Sequence, residues 1–111
     1  MKNNMDNHWE NDPNAFKPIP DGPILLDFSG CQWEYDMHRV LKQAFGFPDY
    51  YGHNWDALWD CLDCLFNDRR LVKIVGLQSL SKDMERGVKI MLEVFEDVHA
   101  ENPNVMFQVI S

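Results

Sequence analysis

The sequence predicts a small α/β domain in which a three-stranded parallel sheet packs against three main helices. Short apolar runs bounded by turn-forming residues occur three times, as expected for buried strands, and stretches with helically spaced apolar residues separate them. The resulting order, β-α-α-β-α-β, favours parallel pairing through right-handed crossovers, because helices separate successive strands. A chain of 111 residues with 45% hydrophobic content suits a single core.

The three predicted strands are apolar runs that end at turn-forming residues. The first, PILLDF at 23–28, is broken by Ser29-Gly30. The second, RLVKIVG, covers 70–76 and closes on a glycine, and the third, NVMFQVI, covers 104–110. These boundaries leave room for two helices in the first connection and one in the second.

The first two predicted helices lie in that first connection. Residues 33–45 carry apolar side chains at helical spacing, and Gly46-Phe47-Pro48 should end this helix. Asn54 can cap a second helix that runs to about Phe66.

The third predicted helix is the longest. Ser81 is its expected cap, with Asp83 and Glu85 in the first turn, where the helix dipole favours acid, and Asn102-Pro103 ends it. Its predicted buried face consists of Val88, Met91, Leu92, Phe95 and Val98.

The chain divides into a predicted flexible N-terminal tail, residues 1–21, and a folded domain, residues 22–111. The tail is rich in Asn, Asp and Pro and shows no apolar period. It lacks the apolar centre of a signal peptide, and no run in the chain is long and apolar enough to cross a membrane, so we expect a cytoplasmic protein. Three cysteines, an odd number, indicate free thiols rather than a disulfide framework.

The net charge is −8, with 18 acidic and 10 basic residues. This balance repels phosphate backbones, so direct binding of nucleic acid is not expected. A basic protein partner is favoured instead, with attraction over roughly 8–10 Å at ordinary salt. The simpler alternative is that the acidity only keeps the protein soluble.

The acidic character is concentrated in DYYGHNWDALWDCLDCLF, residues 49–66, which contains no lysine or arginine. On a helical wheel Asp56, Asp60 and Asp63 share an arc of roughly 60°, opposite the apolar side chains, and Trp59 lies at the border. Like charges spaced i,i+4 cost ~0.2–0.5 kcal/mol, and acid near a helix C-terminus opposes the helix dipole. Stability alone does not favour this arrangement, whereas a cationic partner would make each contribution favourable.

The preceding loop, FPDYYGHN at 47–54, adds to this interpretation. Gly52 is expected to adopt a turn conformation closed to other residues. Tyr50 and Tyr51 cannot both enter one core from a short loop, so at least one should be exposed. An exposed tyrosine beside a row of carboxylates is typical of a binding hot spot. Such a row can occupy pockets that otherwise hold phosphates.

The cysteines of this stretch are compatible with two other kinds of site, a redox motif and a zinc site. Cys61 and Cys64 form a CxxC late in a helix among aspartates, where the thiol pKa should rise, so a redox role is not favoured and packing is expected for Cys61. A zinc site would need further ligands such as Cys31 and His53.

The histidines leave one enzyme hypothesis open. His53 near Asp56 could form the acid–base pair of a small hydrolase, although no nucleophile or phosphate-binding loop accompanies the two residues. His38 and His99 have no evident partner in the sequence, and both are expected at the surface.

The stretch FPDYYGHNWDALWDCLDCL resembles the central signature of the barstar family, PxYYGxNxDALWDCL, and a looser resemblance runs from Pro23 to Ser111. Barstars are intracellular inhibitors of a secreted ribonuclease. The resemblance implies a parallel sheet with packed helices, no cofactor or metal, and no enzyme activity. It also implies a one-to-one complex with a basic ribonuclease, made by a protein that is monomeric when free. In that complex the acidic helix and its preceding loop fill the enzyme's active site.

The resemblance assigns roles to individual residues. Tyr50 and Gly52 match loop contacts, Asp56 and Asp60 match inhibitory carboxylates, and Asp60 should enter the phosphate pocket of the enzyme. Trp59 matches a flanking aromatic residue, and Asp97 matches a glutamate of the third helix. The full set predicted to bind the partner is Tyr50, Tyr51, Gly52, His53, Asn54, Trp55, Asp56, Trp59, Asp60, Asp63 and Asp97.

The chain departs from the family pattern around this set. Trp55 stands where barstar has leucine, His53 where it has glutamate, and Asp63-Cys64 where it has threonine and glycine. The target can therefore differ from that of barstar. One alternative is a nuclease toxin of a bacterial competition system, against which this chain would be the immunity protein.

Overall fold

The computed structural model describes residues 15–66 and 68–110. Three parallel strands, β1 (Ile24–Asp27), β2 (Arg70–Val75) and β3 (Val105–Val109), form one sheet in the order β1-β2-β3. The main helices are α1 (Glu34–Phe45), α2 (Trp55–Asp63) and α3 (Glu85–Glu101). The predicted α/β class, with a three-stranded parallel sheet and three main helices, is confirmed.

One face of the sheet forms the floor of the core. Ile24 and Leu26 of β1 alternate with exposed neighbours and lie in register with Val72 and Ile74 of β2, and all four side chains are buried. Helix α1 packs on β1, α3 packs on β3, and α2 packs on α3. Helix α2 therefore contacts the rest of the domain through its apolar side, and its opposite side is exposed to solvent.

The end of α1 is confirmed at the predicted glycine. Gly46 adopts a left-handed conformation (φ 66°), and a side chain there would clash with the carbonyl of Lys17. The backbone N–H of Lys17 donates to the Gly46 carbonyl at 2.7 Å, and Phe16 and Ile19 pack against the core. Of the predicted tail, residues 1–14 lie outside the described residues, and residues 16–19 contact the domain.

Two helix boundaries differ from the prediction. Helix α2 ends at Asp63 rather than near Phe66, because Cys64 leaves the helical conformation and no basic residue in the last turn offsets the carboxylates there. Ser81 does not cap α3: a 3₁₀ turn, Lys82–Met84, intervenes, and the Ser81 side chain makes no capping hydrogen bond.

Candidate partner-binding site

The exposed side of α2 carries a row of carboxylates. Asp56, Asp60 and Asp63 are all exposed, whereas Leu58 and Leu62 on the opposite side are buried. The two ion pairs found within residues 15–66 and 68–110 both involve Asp49, so neither neutralises this row. The row, named here the acidic row (Asp56, Asp60 and Asp63), therefore presents three negative charges to solvent.

Asn54 fixes the start of the acidic helix, as predicted. Its side-chain oxygen accepts a hydrogen bond from the Ala57 backbone N–H at 2.7 Å, and its carbonyl accepts from Leu58 at 3.1 Å. Its amide nitrogen donates to the Gly52 carbonyl at 3.3 Å, so one side chain joins the loop to the helix.

The conformation of the loop corrects the expectation for Gly52. The left-handed conformation falls on His53 (φ 53°), and Gly52 lies outside that region. A Cβ at Gly52 would meet the Asn54 amide nitrogen at 2.9 Å. Glycine is therefore favoured because any side chain at position 52 would displace the Asn54 amide that caps α2, and the left-handed backbone conformation lies one residue later, at His53.

The two tyrosines of the loop point in opposite directions. Tyr50 is 61% exposed, which confirms that one of the pair is at the surface. Tyr51 is 2% exposed and packs on Phe47, so its ring is not available for the direct contact expected of it. Tyr51 instead supports the loop from below.

Beneath Tyr51 lies His38, which the sequence placed at the surface and the structure buries. His38 is 1% exposed, and its Nδ1 shares a hydrogen bond of 2.6 Å with the Tyr51 hydroxyl. Its ring packs on Trp55 with centroids 4.1 Å apart. His38 thereby connects α1 to both the loop and the first residue of α2.

Burial also sets the charge state of these groups. Desolvation, with a smaller contribution from His53, lowers the pKa of His38 from 6.5 to about 4. The His38 Nε2 has no hydrogen-bond partner among the described residues, so a protonated ring would leave a buried donor unpaired. Desolvation raises the pKa of Tyr51, which keeps its hydroxyl protonated. The two side chains beneath the loop, His38 and Tyr51, are therefore uncharged at neutral pH.

The remaining predicted contacts surround the row. Trp55 is half-buried, and its buried indole N–H has no partner among the described residues. With His38, on which it packs, Trp55 therefore lies largely beneath the loop. Trp59 is half-buried and packs against the core at the border of the acidic row. Asp97 is exposed on α3, the helix against which α2 packs.

The cysteines show no assembled chemical site. All three are free thiols, and Cys61 is buried in the core as expected. Burial, together with Cys64 and Asp60, raises the pKa of Cys61. Across the described part of the chain, no group of three or more histidine, cysteine or acidic side chains is arranged to hold a metal ion.

His53 lies between the loop and α1. Its Nδ1 lies 3.0 Å from the Tyr51 carbonyl oxygen, to which it can donate, and its ring stacks on Tyr35 with centroids 4.9 Å apart. Asp56 does not hydrogen-bond to it. The acid–base pair considered from the sequence is therefore not assembled.

Sequence reasoning missed the roles of His38 and Tyr35. A signal for His38 was present, because it lies three residues before Leu41 and seven before Phe45, both on the buried side of α1. Nothing in the spacing of Tyr35 indicated that it stacks on a residue of the following loop.

None of the described helices is long and apolar enough to span a membrane.

Comparison with known proteins adds to this geometry. The family model described as "Barstar (barnase inhibitor)" matches residues 23–111. The Bacillus subtilis (strain 168) protein named "Putative ribonuclease inhibitor YrdF" is 65% identical over 39 residues, which cover 35% of this chain and 43% of that protein. The family match extends over most of the chain and agrees with the parallel sheet and the exposed acidic helix. The chain therefore belongs to the barstar family.

Proposed function

We propose that this protein inhibits a basic ribonuclease by filling its active site with the acidic row and the loop that precedes it. The observation that carries the proposal is the acidic row itself: three exposed carboxylates on one side of a short helix, with no cation paired to them in the described residues. Membership of a family of ribonuclease inhibitors supports the same function. The inhibitor acts in the cytoplasm, in a one-to-one complex.

The mechanism is mimicry of the RNA backbone. A ribonuclease binds phosphates with cationic side chains, and a carboxylate makes charge-assisted hydrogen bonds to the same groups. Asp60, in the middle of the row, would enter the phosphate pocket, with Asp56 on one side and Tyr50 covering the rim. The complex would also remove the repulsion among the carboxylates, which the free protein tolerates.

The support beneath the loop makes this surface rigid before binding. The Asn54 cap, the Tyr51–His38 hydrogen bond and the Trp55 ring hold the loop and the first turn of α2 from three sides. A surface already ordered loses less conformational entropy on association than a mobile one. Tight inhibition is expected to depend on these buried residues as well as on the exposed ones.

The departures from the family pattern around the row bear on the choice of target. His53, Trp55 and Asp63 differ from the family pattern, while the central residues Asp56 and Asp60 are kept. We therefore assign the mode of inhibition to the family and the choice of nuclease to this chain. A nuclease toxin of a bacterial competition system is one such target, and the protein would then be its immunity protein.

The test is co-expression with basic ribonucleases from neighbouring genes or from related systems. We expect the protein to abolish RNA cleavage and toxicity by one of them and to form a one-to-one complex by calorimetry. The association rate should fall steeply as salt is raised, because long-range attraction steers the encounter. Failure to bind or inhibit any basic nuclease would remove the proposal. Intrinsic RNA or ester hydrolysis, lost on changing His53 or Asp56, would favour the hydrolase instead.

A further inference from the structure

A second charged surface lies beside the loop and has the opposite sign. A groove of about 320 Å³ runs between α1, the segment at Lys17-Pro18 and the turn that follows Gly46. Tyr35, Arg39 and Lys42 lie along it at the spacing i, i+4 and i+7, which places them on one side of α1. We name this feature the basic groove, lined by Lys17, Tyr35, Arg39, Lys42, Asp49 and His53.

The charges of the basic groove are not balanced. Lys17, Arg39 and Lys42 contribute three positive charges, and Asp49 contributes one negative charge. Arg39 is exposed and forms no ion pair with any described residue. A local excess of two positive charges in a chain of net charge −8 is opposite to the overall trend. Solubility, the simplest reason for the acidity, does not account for it.

A larger charged groove in the described part of the chain provides a comparison. It runs along α3 and its net charge is slightly negative. Its charged lining residues are three basic ones, Lys82, Arg86 and Lys89, and four acidic ones, Asp83, Glu85, Glu93 and Glu96. Alternating signs of this kind are expected on an ordinary solvated helix. The basic groove differs because its cations converge from two segments of the chain.

Carboxylate is the anion that the groove already accommodates. The Asp49 Oδ1 lies 3.2 Å from the Lys42 Nζ and 3.8 Å from the Lys17 Nζ, so one carboxylate bridges both ammonium groups. The Lys17 backbone is fixed by its 2.7 Å hydrogen bond to Gly46, which holds that wall in place. Arg39 offers a planar fork of donors that matches a second carboxylate.

We propose that the basic groove binds an acidic segment of the ribonuclease that the protein inhibits, with a carboxylate of the enzyme paired to Arg39. The inference rests on the proposed function for the identity of the partner. Asp49 and His53 belong to both the groove and the loop, so an enzyme that covers Tyr50 also approaches the groove. The inhibitor would then select its target by two surfaces of opposite sign, and a nuclease with a cationic rim at this position would be rejected.

The first experiment tests the groove without the enzyme. The full-length protein, labelled with ¹⁵N, is titrated at low salt with a hexaglutamate peptide and, in parallel, with a hexalysine peptide. Hexaglutamate should shift the amide signals of Lys17, Arg39 and Lys42, and hexalysine those of the acidic row. Removing two charges with Lys17→Gln and Arg39→Gln should weaken hexaglutamate binding roughly 5-fold, as expected for exposed pairs. The matched control, Lys82→Gln with Arg86→Gln, should leave it unchanged.

The second experiment tests the assignment to the ribonuclease. With a nuclease that the wild-type protein inhibits, Arg39→Glu should weaken binding by at least about 10-fold, and Arg86→Glu should not. Equal affinities for the Arg39→Glu variant and the wild type would overturn the inference and leave the inhibitor function standing. No hexaglutamate shift at the groove, or an equal loss in the control variant, would also overturn it. Groove binding by a protein that inhibits no nuclease would overturn the assignment together with the proposed function.

Discussion

The buried His38 makes the stability of the fold depend on pH below about pH 6.5, and the upper part of that window lies above the ordinary pKa range of carboxylates. Its pKa is about 4 in the folded protein, against 6.5 for an exposed imidazole. The unfolded chain therefore binds more protons than the native state between these two values. Stability is fully present above about pH 6.5 and falls as the pH drops toward 4.

The magnitude follows from the two pKa values. A shift of one pKa unit corresponds to 1.36 kcal/mol, so the full effect is limited to ~3.4 kcal/mol. Between about pH 7.5 and about pH 5.5, linkage gives a loss of ~1.4 kcal/mol in the free energy of unfolding. Most aspartates and glutamates remain ionised throughout that interval, which leaves the histidines as the main groups that change charge.

The assay is urea unfolding followed by tryptophan fluorescence at the two pH values, for the wild type, His38→Gln and His99→Gln. Glutamine can still hydrogen-bond to Tyr51 but does not titrate, so the pH-dependent loss should vanish in His38→Gln. His99 is exposed, and its variant should retain the loss. If the wild type and His38→Gln lose the same stability, the reasoning is refuted. Should His38→Gln fail to fold, an NMR titration of the wild-type imidazole decides: a pKa near 6.5 would contradict the burial argument.

Three further predictions concern the loop and the cysteines. Asn54→Ala should lower the free energy of unfolding by about 1 kcal/mol in urea titrations, because the cap of α2 is lost. Gly52→Ala should also lower the free energy of unfolding, because the new Cβ would collide with the Asn54 side chain. The loss should be smaller in the Asn54→Ala background, and equal losses in both backgrounds would contradict that contact. Cys64 should react with a thiol reagent much faster than Cys61, because Cys61 is buried and its pKa is raised. Mass spectrometry of the labelled peptides measures the two rates, and similar rates would mean that the core opens readily.

The elements of the fold were predictable because each depends on neighbours in the sequence. The apolar run of β1, the spacing along α1 and the glycine at 46 are local signals, and all three match the structure. The prediction that Ser81 caps α3 was wrong. A serine before a turn favours a helix start, but the residues after Ser81 form a 3₁₀ turn before α3 begins. The acidic row was equally predictable, since its members are related by helical geometry alone.

What could not be predicted depends on pairs that are far apart in the chain. The sequence could not say which of Tyr50 and Tyr51 enters the core, because His38, the partner of Tyr51, lies 13 residues earlier on another element. The positive φ falls on His53 rather than Gly52, and what favours glycine at position 52 is its close contact with the Asn54 side chain, another pairing that local sequence signals do not reveal. The basic groove needed the docking of Lys17 against Gly46, which nothing in the tail's composition indicated.

The most direct test of the central claim is inhibition of a cognate ribonuclease by Asp60→Ala compared with Asp83→Ala. Both variants remove one exposed carboxylate, but only the first lies in the acidic row. The barstar aspartate to which the family resemblance assigns Asp60 is a binding hot spot, so the direction of the effect is expected if that assignment holds. We expect Asp60→Ala to weaken binding by about 2–5 kcal/mol, while its free energy of unfolding is unchanged or slightly raised. Unchanged affinity with loss of folding would mean that the acidic row is structural and does not bind the ribonuclease.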